Sequence, residues 1–189
     1  MDGVSSSAPE TGRPRRIVLF VVVAVLALAV DIVSKIIVVA KISPTDDHSL
    51  LGGALHLVQA RNSGAAFSVG TGMTVILTLI AVAVVVVIVR AARRLRSAGW
   101  AVALGLVLGG ALGNLTDRFF RAPSPGKGHV VDWITVFPND HWTFPTFNLA
   151  DSCITVGGVL AVLLSLLNID LQGNRSDSQT ESESASLDG

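Results

Sequence analysis

The chain has 189 residues, of which half are apolar and only 15% are charged, and its formal net charge is zero. Soluble domains carry about 25% charged residues, so the composition excludes an ordinary soluble globular protein. The zero net charge offers no general attraction to nucleic acid. The histidines are scattered over two predicted loops, and the one cysteine, Cys153, begins an apolar segment. We therefore expect no internal disulfide, no metal and no cofactor.

Four long stretches with few or no charges follow one another along the chain. About 20 apolar residues span a bilayer, so each stretch predicts a transmembrane helix. The predicted spans are about 17–40, 72–89, 98–115 and 152–169. The first is too long for the apolar region of a signal peptide, which favours a retained helix. The polar ends, 1–16 and 170–189, are predicted to be disordered tails on a membrane-embedded domain of 17–169.

The distribution of Lys and Arg predicts the side of the membrane on which each loop lies. Eight of these residues lie in the two tails and in the loop between the second and third spans. Only five lie in the two longer loops, 41–71 and 116–151. Because basic residues favour cytoplasmic segments, both termini are predicted to be cytoplasmic and both longer loops to face outward.

The two outer loops carry different patterns. In the first, an alternating run begins at Leu55, a turn is predicted at 62–64, and the apolar pair Ala66 and Phe67 follows. This pattern predicts a small antiparallel sheet. The second loop becomes apolar and aromatic after Gly128, which predicts that it lies on the outer membrane surface.

Charged side chains inside a membrane are costly and mark candidate functional sites. Asp31 and Lys35 are four residues apart in the first span, so they share a helical face and are predicted to pair. Three more carboxylates, Asp117, Asp132 and Asp151, reach the same outer level from other chain positions. The sequence therefore predicts a polar cluster at the outer end of the helices.

Asp132 and Asp151 differ from the other carboxylates, because no Lys or Arg lies within four residues of either one. Two buried carboxylates that share a site hold one proton between them, which supplies a general base and a general acid together. The simpler interpretation is that each carboxylate caps a helix, and Asp151 is well placed to cap the fourth span. Asp117, by contrast, is followed directly by Arg118, whose direction the sequence leaves open.

Uncharged polar residues and glycines complete the pattern. Asn62, Asn114 and Asn148 fall at the same outer level, and an asparagine amide both donates and accepts hydrogen bonds. Glycines recur at a spacing of four along the third span, at 105, 109 and 113, and Gly110 follows the second of them directly. That spacing favours close helix packing over a direct role in substrate binding.

Five motifs occur in a fixed order and carry a family resemblance. They are 31–35, 61–67, 109–118, 128–133 and 147–152. Together they resemble the bacterial lipoprotein signal peptidases, the signal peptidase II family, over about residues 15–169. Ile32 stands where that family usually has Gln.

The resemblance implies a fold: an all-α, four-helix transmembrane bundle with a small extracytoplasmic antiparallel β-sheet and a short surface helix placed after Gly128. It also implies an activity, that of an aspartic endopeptidase of the bacterial cytoplasmic membrane. Such an enzyme removes signal peptides from prolipoproteins by cleaving before a diacylglyceryl-modified cysteine. Neither a metal nor another cofactor is implied.

The resemblance also implies site residues. Asp132 and Asp151 would be the catalytic pair. The residues that would hold this pair or contact the substrate are Asn62, Gly110, Asn114, Arg118 and Asn148, to which we add Asp31 and Lys35 as supporting residues.

Two other functions remain open at this point. A small channel or transporter would use the same carboxylates as a proton or cation path. Such a path needs polar residues through the full membrane depth, and the cytoplasmic half of the spans has almost none. The third reading is an assembly factor without catalytic activity.

Overall fold

Four long helices and a three-stranded sheet make up the fold. The structure is a computed structural model that describes residues 14–64, 72–138 and 144–175. Its elements are α1 (Ile17–Lys41), β1 (Asp47–Leu50), β2 (Leu55–Asn62), α2 (Gly72–Ala92), α3 (Ala98–Phe120), β3 (Val130–Val136) and α4 (Leu149–Leu166). All four helices are long and apolar enough to cross a membrane, which confirms the predicted four-helix architecture.

Two helices extend past the polar ends of the predicted spans. α3 continues past residue 115 to Phe120, and α4 begins at Leu149 rather than at 152. Hydropathy ends a predicted span at the first polar residues, whereas a helix continues wherever those residues find partners. The additional turns carry several of the predicted site residues.

α3 is the central helix of the bundle. Half of the residues in its apolar stretch are buried, against about a fifth in each of the other three helices. Its glycines allow close approach: a Cβ on Gly109 would lie 2.5 Å from the Ala24 carbonyl oxygen on α1, and one on Gly113 would lie 2.4 Å from Asp31 Oδ2. The expected packing role of these glycines is confirmed.

Adjacent glycines on α4 allow a matched test of this packing. A Cβ on Gly157 would lie 2.6 Å from the Ala103 carbonyl oxygen, whereas one on Gly158 would meet no atom within 4 Å. Gly157→Ala is therefore expected to lower the free energy of unfolding by about 1–3 kcal/mol. Gly158→Ala is expected to leave it unchanged or to raise it by up to about 1 kcal/mol, because alanine favours a helix. Unfolding in mixed micelles measures both, and equal losses would contradict the proposed contact.

The predicted antiparallel sheet is present, with strand order β1-β2-β3. β1 and β2 form a hairpin whose turn includes Gly52 and Gly53, both at positive φ. The turn predicted at 62–64 also exists, since the Gly64 N–H donates to Asn62 Oδ1 over 2.7 Å. It follows β2, however, and the strand predicted at Ala66 and Phe67 lies outside the described residues.

The second outer loop corrects one expectation. The segment after Gly128 forms β3, which pairs with β2, and the described part of this loop contains no surface helix. Trp133 and Ile134 both donate their backbone N–H groups to the Phe147 carbonyl oxygen, over 2.9 Å each. The β-branched run favours a strand, and partners on both edges hold it in place. Residues 139–143 lie outside the described part of the chain.

Ordered chain continues beyond residue 169. The Leu171 carbonyl oxygen accepts hydrogen bonds from the backbone N–H groups of Arg96 and Ser97, over 2.9 and 3.0 Å. This contact joins the segment that follows α4 to the loop between α2 and α3. Most of the two predicted tails lies outside the described residues, so their disorder stays a prediction.

Candidate active site

All four predicted carboxylates lie at the same end of the bundle. Asp31 is on α1, Asp117 on α3, Asp132 on β3 and Asp151 in the first turn of α4. The first three are at most 3% exposed, and Asp151 is half-buried. Because buried carboxylates require partners, the hydrogen bonds around them define the site.

Asn148 connects the two carboxylates that have no local cation. Its side-chain Nδ2 donates to Asp132 Oδ1 over 2.6 Å, and its Oδ1 accepts the backbone N–H of Asp151 over 2.9 Å. Asn62 donates to the other Asp132 oxygen over 2.8 Å. The structure thus brings Asp132 and Asp151 together around one fully buried asparagine.

Asp132 holds its proton more tightly than an ordinary aspartate. Burial is the main cause, and it raises the pKa of Asp132 from 3.8 to about 6; the nearby charge of Asp151 acts in the same direction. The hydrogen bonds from Asn62 and Asn148 lower this pKa in part. A carboxyl group with such a pKa can donate a proton near neutral pH, which suits a general acid.

Asp151 both caps α4 and faces the site. Its Oδ2 accepts the backbone N–H of Asn148 over 3.3 Å, which completes a capping box at the start of the helix. Its Oδ1 accepts Asn114 Nδ2 over 2.8 Å. The capping role expected of Asp151 is confirmed, and its Oδ1 is left for the contact with Asn114. Its membership of an acid–base pair stays a prediction.

A second buried group is centred on Lys35. Its Nζ lies 2.8 Å from Asp31 Oδ2 and 3.0 Å from Asp117 Oδ2, and it donates to Asn114 Oδ1 over 3.0 Å. The predicted pair of Asp31 and Lys35 is present, and Asp117 and Asn114 join it. Arg121 also pairs with Asp117. This pair was not predicted, although a spacing of four between Asp117 and Arg121 on a helix is the signal for it.

Two further predicted site residues, Arg118 and Gly110, lie on α3. Arg118 is 9% exposed, lies within electrostatic range of Asp132 and Asp151, and leaves Nη1 without a hydrogen bond in the part of the chain that the structure describes. It is not the ion-pair partner of Asp117, whose cations there are Lys35 and Arg121.

A Cβ on Gly110 would lie 2.4 Å from the Ala150 carbonyl oxygen. Gly110 therefore brings α3 and α4 close together directly beside Asp151.

The fold and the site together define a multi-pass membrane protein whose buried carboxylates and their partners lie at one end of the helix bundle. A family model described as signal peptidase (SPase) II matches residues 23–167. A lipoprotein signal peptidase of Rhodococcus jostii is 51% identical over 92% of this chain and 86% of its own. One of Streptomyces coelicolor is 50% identical over 88% and 79%.

Solved structures agree with the sequence relatives. A bacterial membrane enzyme determined by the in meso method at 1.9 Å resolution superposes with a TM-score of 0.71. It is 28% identical, and the match covers 82% of this chain and 97% of that one. The chain belongs to the signal peptidase II family, and it is a protease of bacterial membranes.

Proposed function

We propose that this protein is an aspartic endopeptidase that removes signal peptides from prolipoproteins, cleaving before a diacylglyceryl-modified cysteine. One observation carries the aspartic assignment: two carboxylates without a local cation, Asp132 and Asp151, both accept hydrogen bonds from the buried Asn148, from its side chain and its backbone N–H respectively. The names of the curated relatives support the substrate class. Because the spans are apolar around this site, the acyl chains of such a substrate can stay in the bilayer during cleavage.

The mechanism uses one proton shared between the two aspartates. Burial favours the protonated form of Asp132, so this residue donates a hydrogen bond to the scissile carbonyl oxygen. Ionised Asp151 takes a proton from a water molecule, whose oxygen attacks the carbonyl carbon. The carbon–nitrogen bond then breaks, and the leaving amine takes a proton from the pair. This sequence requires no covalent intermediate with the enzyme.

Three neighbours support this chemistry in the proposal. Asn62 and Asn148 donate to the two oxygens of Asp132 and so fix its plane. Arg118 places a buried cation near both aspartates, where it stabilises the negative charge that develops on the attacked carbonyl. Its free Nη1 is the donor we assign to that role.

A channel or transporter fits the distribution of polar residues less well. The buried polar and charged residues on the described helices lie at the outer end, and Ser97 at the start of α3 is the exception. Thr74 and Thr78 also lie at this end, because their hydroxyl groups donate to the carbonyl oxygens of Ser63 and Gly126 in the outer loops. A proton or cation path would need such groups throughout the depth of the bundle.

Cleavage of a lipidated precursor by the purified protein tests the proposed function. The assay compares a precursor that carries diacylglyceryl on its cysteine with the same precursor left unmodified. We expect cleavage of the lipidated form alone, at the bond before the cysteine. An assembly factor, a channel or a transporter would release no signal peptide from either form.

The arginine distribution predicts cytoplasmic termini and an extracytoplasmic active site. We expect a reporter that works only in the cytoplasm to be active when it is fused after residue 175, and a reporter that works only after export to be inactive there. We expect the opposite result for insertion at Pro44, between α1 and β1: the reporter that works only after export is active there, and the cytoplasmic reporter is inactive. Reporter activity in intact cells measures both, and an exported C-terminus would place the aspartates on the cytoplasmic side.

A further inference from the structure

Lys35 is a buried cation that contacts three polar side chains. Its side chain is 1% exposed, and three oxygens from Asp31, Asn114 and Asp117 lie within 3.0 Å of Nζ. Nζ donates a hydrogen bond to Asn114 Oδ1 and forms ion pairs with the two carboxylates. We call these four residues the Lys35 cluster.

We propose that Lys35 is a positioning residue that sets the geometry of both catalytic aspartates through three separate connections. This inference rests on the proposed function, because it concerns the rate of the same cleavage. None of the connections touches the scissile bond, and each one ends at Asp151 or at the residue directly before Asp132 or Asp151.

The first connection orients the amide of Asn114. Lys35 can only donate hydrogen bonds, so the Asn114 amide oxygen must face Nζ. The Asn114 NH₂ group then points the other way, and it donates to Asp151 Oδ1 over 2.8 Å. If the amide turned over, its oxygen would face the carboxylate and repel it. Asn148 Nδ2 donates to the same Asn114 oxygen over the longer distance of 3.3 Å. Lys35 and Asn148 together therefore ensure that Asp151 receives a donor at Oδ1.

The other two connections hold the backbone beside each aspartate. Asp31 Oδ1 accepts the N–H of Ala150, directly before Asp151, over 2.9 Å. Asp117 Oδ2 accepts the N–H of Val131, directly before Asp132, over 3.1 Å. Lys35 Nζ forms ion pairs with both carboxylates, at 2.8 Å from Asp31 Oδ2 and 3.0 Å from Asp117 Oδ2. One ammonium group therefore ties the start of α4 and strand β3 to the same point.

Loss of this group is expected to affect the chemical step more than substrate binding. Displacement of a catalytic group by about 1 Å can lower a rate by about 100-fold. Within the Lys35 cluster, Asn114 is the residue that hydrogen-bonds the side chain of a proposed catalytic aspartate, Asp151, so we expect the substrate-binding surface to stay in place. We expect Lys35→Met to lower kcat by about 10- to 100-fold and to change KM by less than about threefold.

A double variant separates positioning from simple stability. Lys35→Met leaves Asp31 buried without its cation, which destabilises the fold. Asp31→Asn added to Lys35→Met removes that charge and keeps an oxygen that accepts from Ala150. We expect the double variant to recover the thermal midpoint of the wild type and to keep the low kcat. If Lys35 served stability alone, kcat would recover together with the midpoint.

Ser34→Ala is the matched control, because Ser34 neighbours Lys35 on α1 and only bonds the Asp31 carbonyl oxygen. We expect it to keep the wild-type kcat. The readouts are kcat and KM on the lipidated precursor, together with the thermal midpoint in detergent. A double variant that cleaves at the wild-type rate, or that does not fold, overturns the proposal. Failure of the wild type to cleave would refute the proposed function instead.

Discussion

Asp132→Asn and Asp151→Asn are each expected to lower cleavage of a lipidated precursor by roughly 10³-fold or more. Asparagine is nearly isosteric with aspartate, but it cannot take and release the proton that the mechanism moves. Residues that act as one unit give non-additive losses. The double variant is therefore expected to be no slower than the slower single variant. Turnover rates of the purified variants measure both effects.

The matched control is Asp47→Asn on strand β1. Asp47 is a largely exposed carboxylate of the same sheet that pairs with His56, away from the polar cluster. We expect it to keep the wild-type turnover. Wild-type turnover by Asp132→Asn or Asp151→Asn would remove these two residues as the acid–base pair. Strictly additive losses would argue that they act in separate steps.

The stability of the wild type is expected to fall as pH rises from about 4 to 7. The pKa of Asp132 is about 6 in the folded protein and 3.8 in its ordinary state, so the folded state binds the proton more tightly. A raised pKa stabilises the fold below the unfolded pKa, and this contribution is lost as pH rises through 6. The difference corresponds to about 3 kcal/mol at most.

Asp132→Asn removes this titration and provides the comparison. The free energy of unfolding of wild type minus that of the variant is expected to decrease by about 2–3 kcal/mol between pH 4 and 7. The difference between the two proteins is used because other groups titrate in both. Unfolding in mixed micelles at several pH values measures it. A difference that stays constant with pH would show that folding does not raise the pKa of Asp132.

Hydropathy and charge predicted much of this molecule because both are local properties. The four apolar stretches predicted α1 to α4, and the alternation after Leu55 predicted a strand where β2 lies. The pairing of Asp31 with Lys35 followed from a spacing of four on one helix. The absence of nearby cations singled out Asp132 and Asp151, and the signal peptidase II resemblance is confirmed by the family match.

Tertiary contacts decided which partner each polar group took. Asn148 contacts Asp132 across 16 residues of chain, and Lys35 reaches Asn114 across 79. No periodicity specifies such pairs, because they depend on where two distant elements meet. The segment after Gly128 became β3 for the same reason, since the free edge of β2 and the Phe147 carbonyl lay beside it. The sequence by itself determined where the four helices form and at which end of them the charged residues lie. Packing of distant elements determined the hydrogen bonds that join these residues into a site.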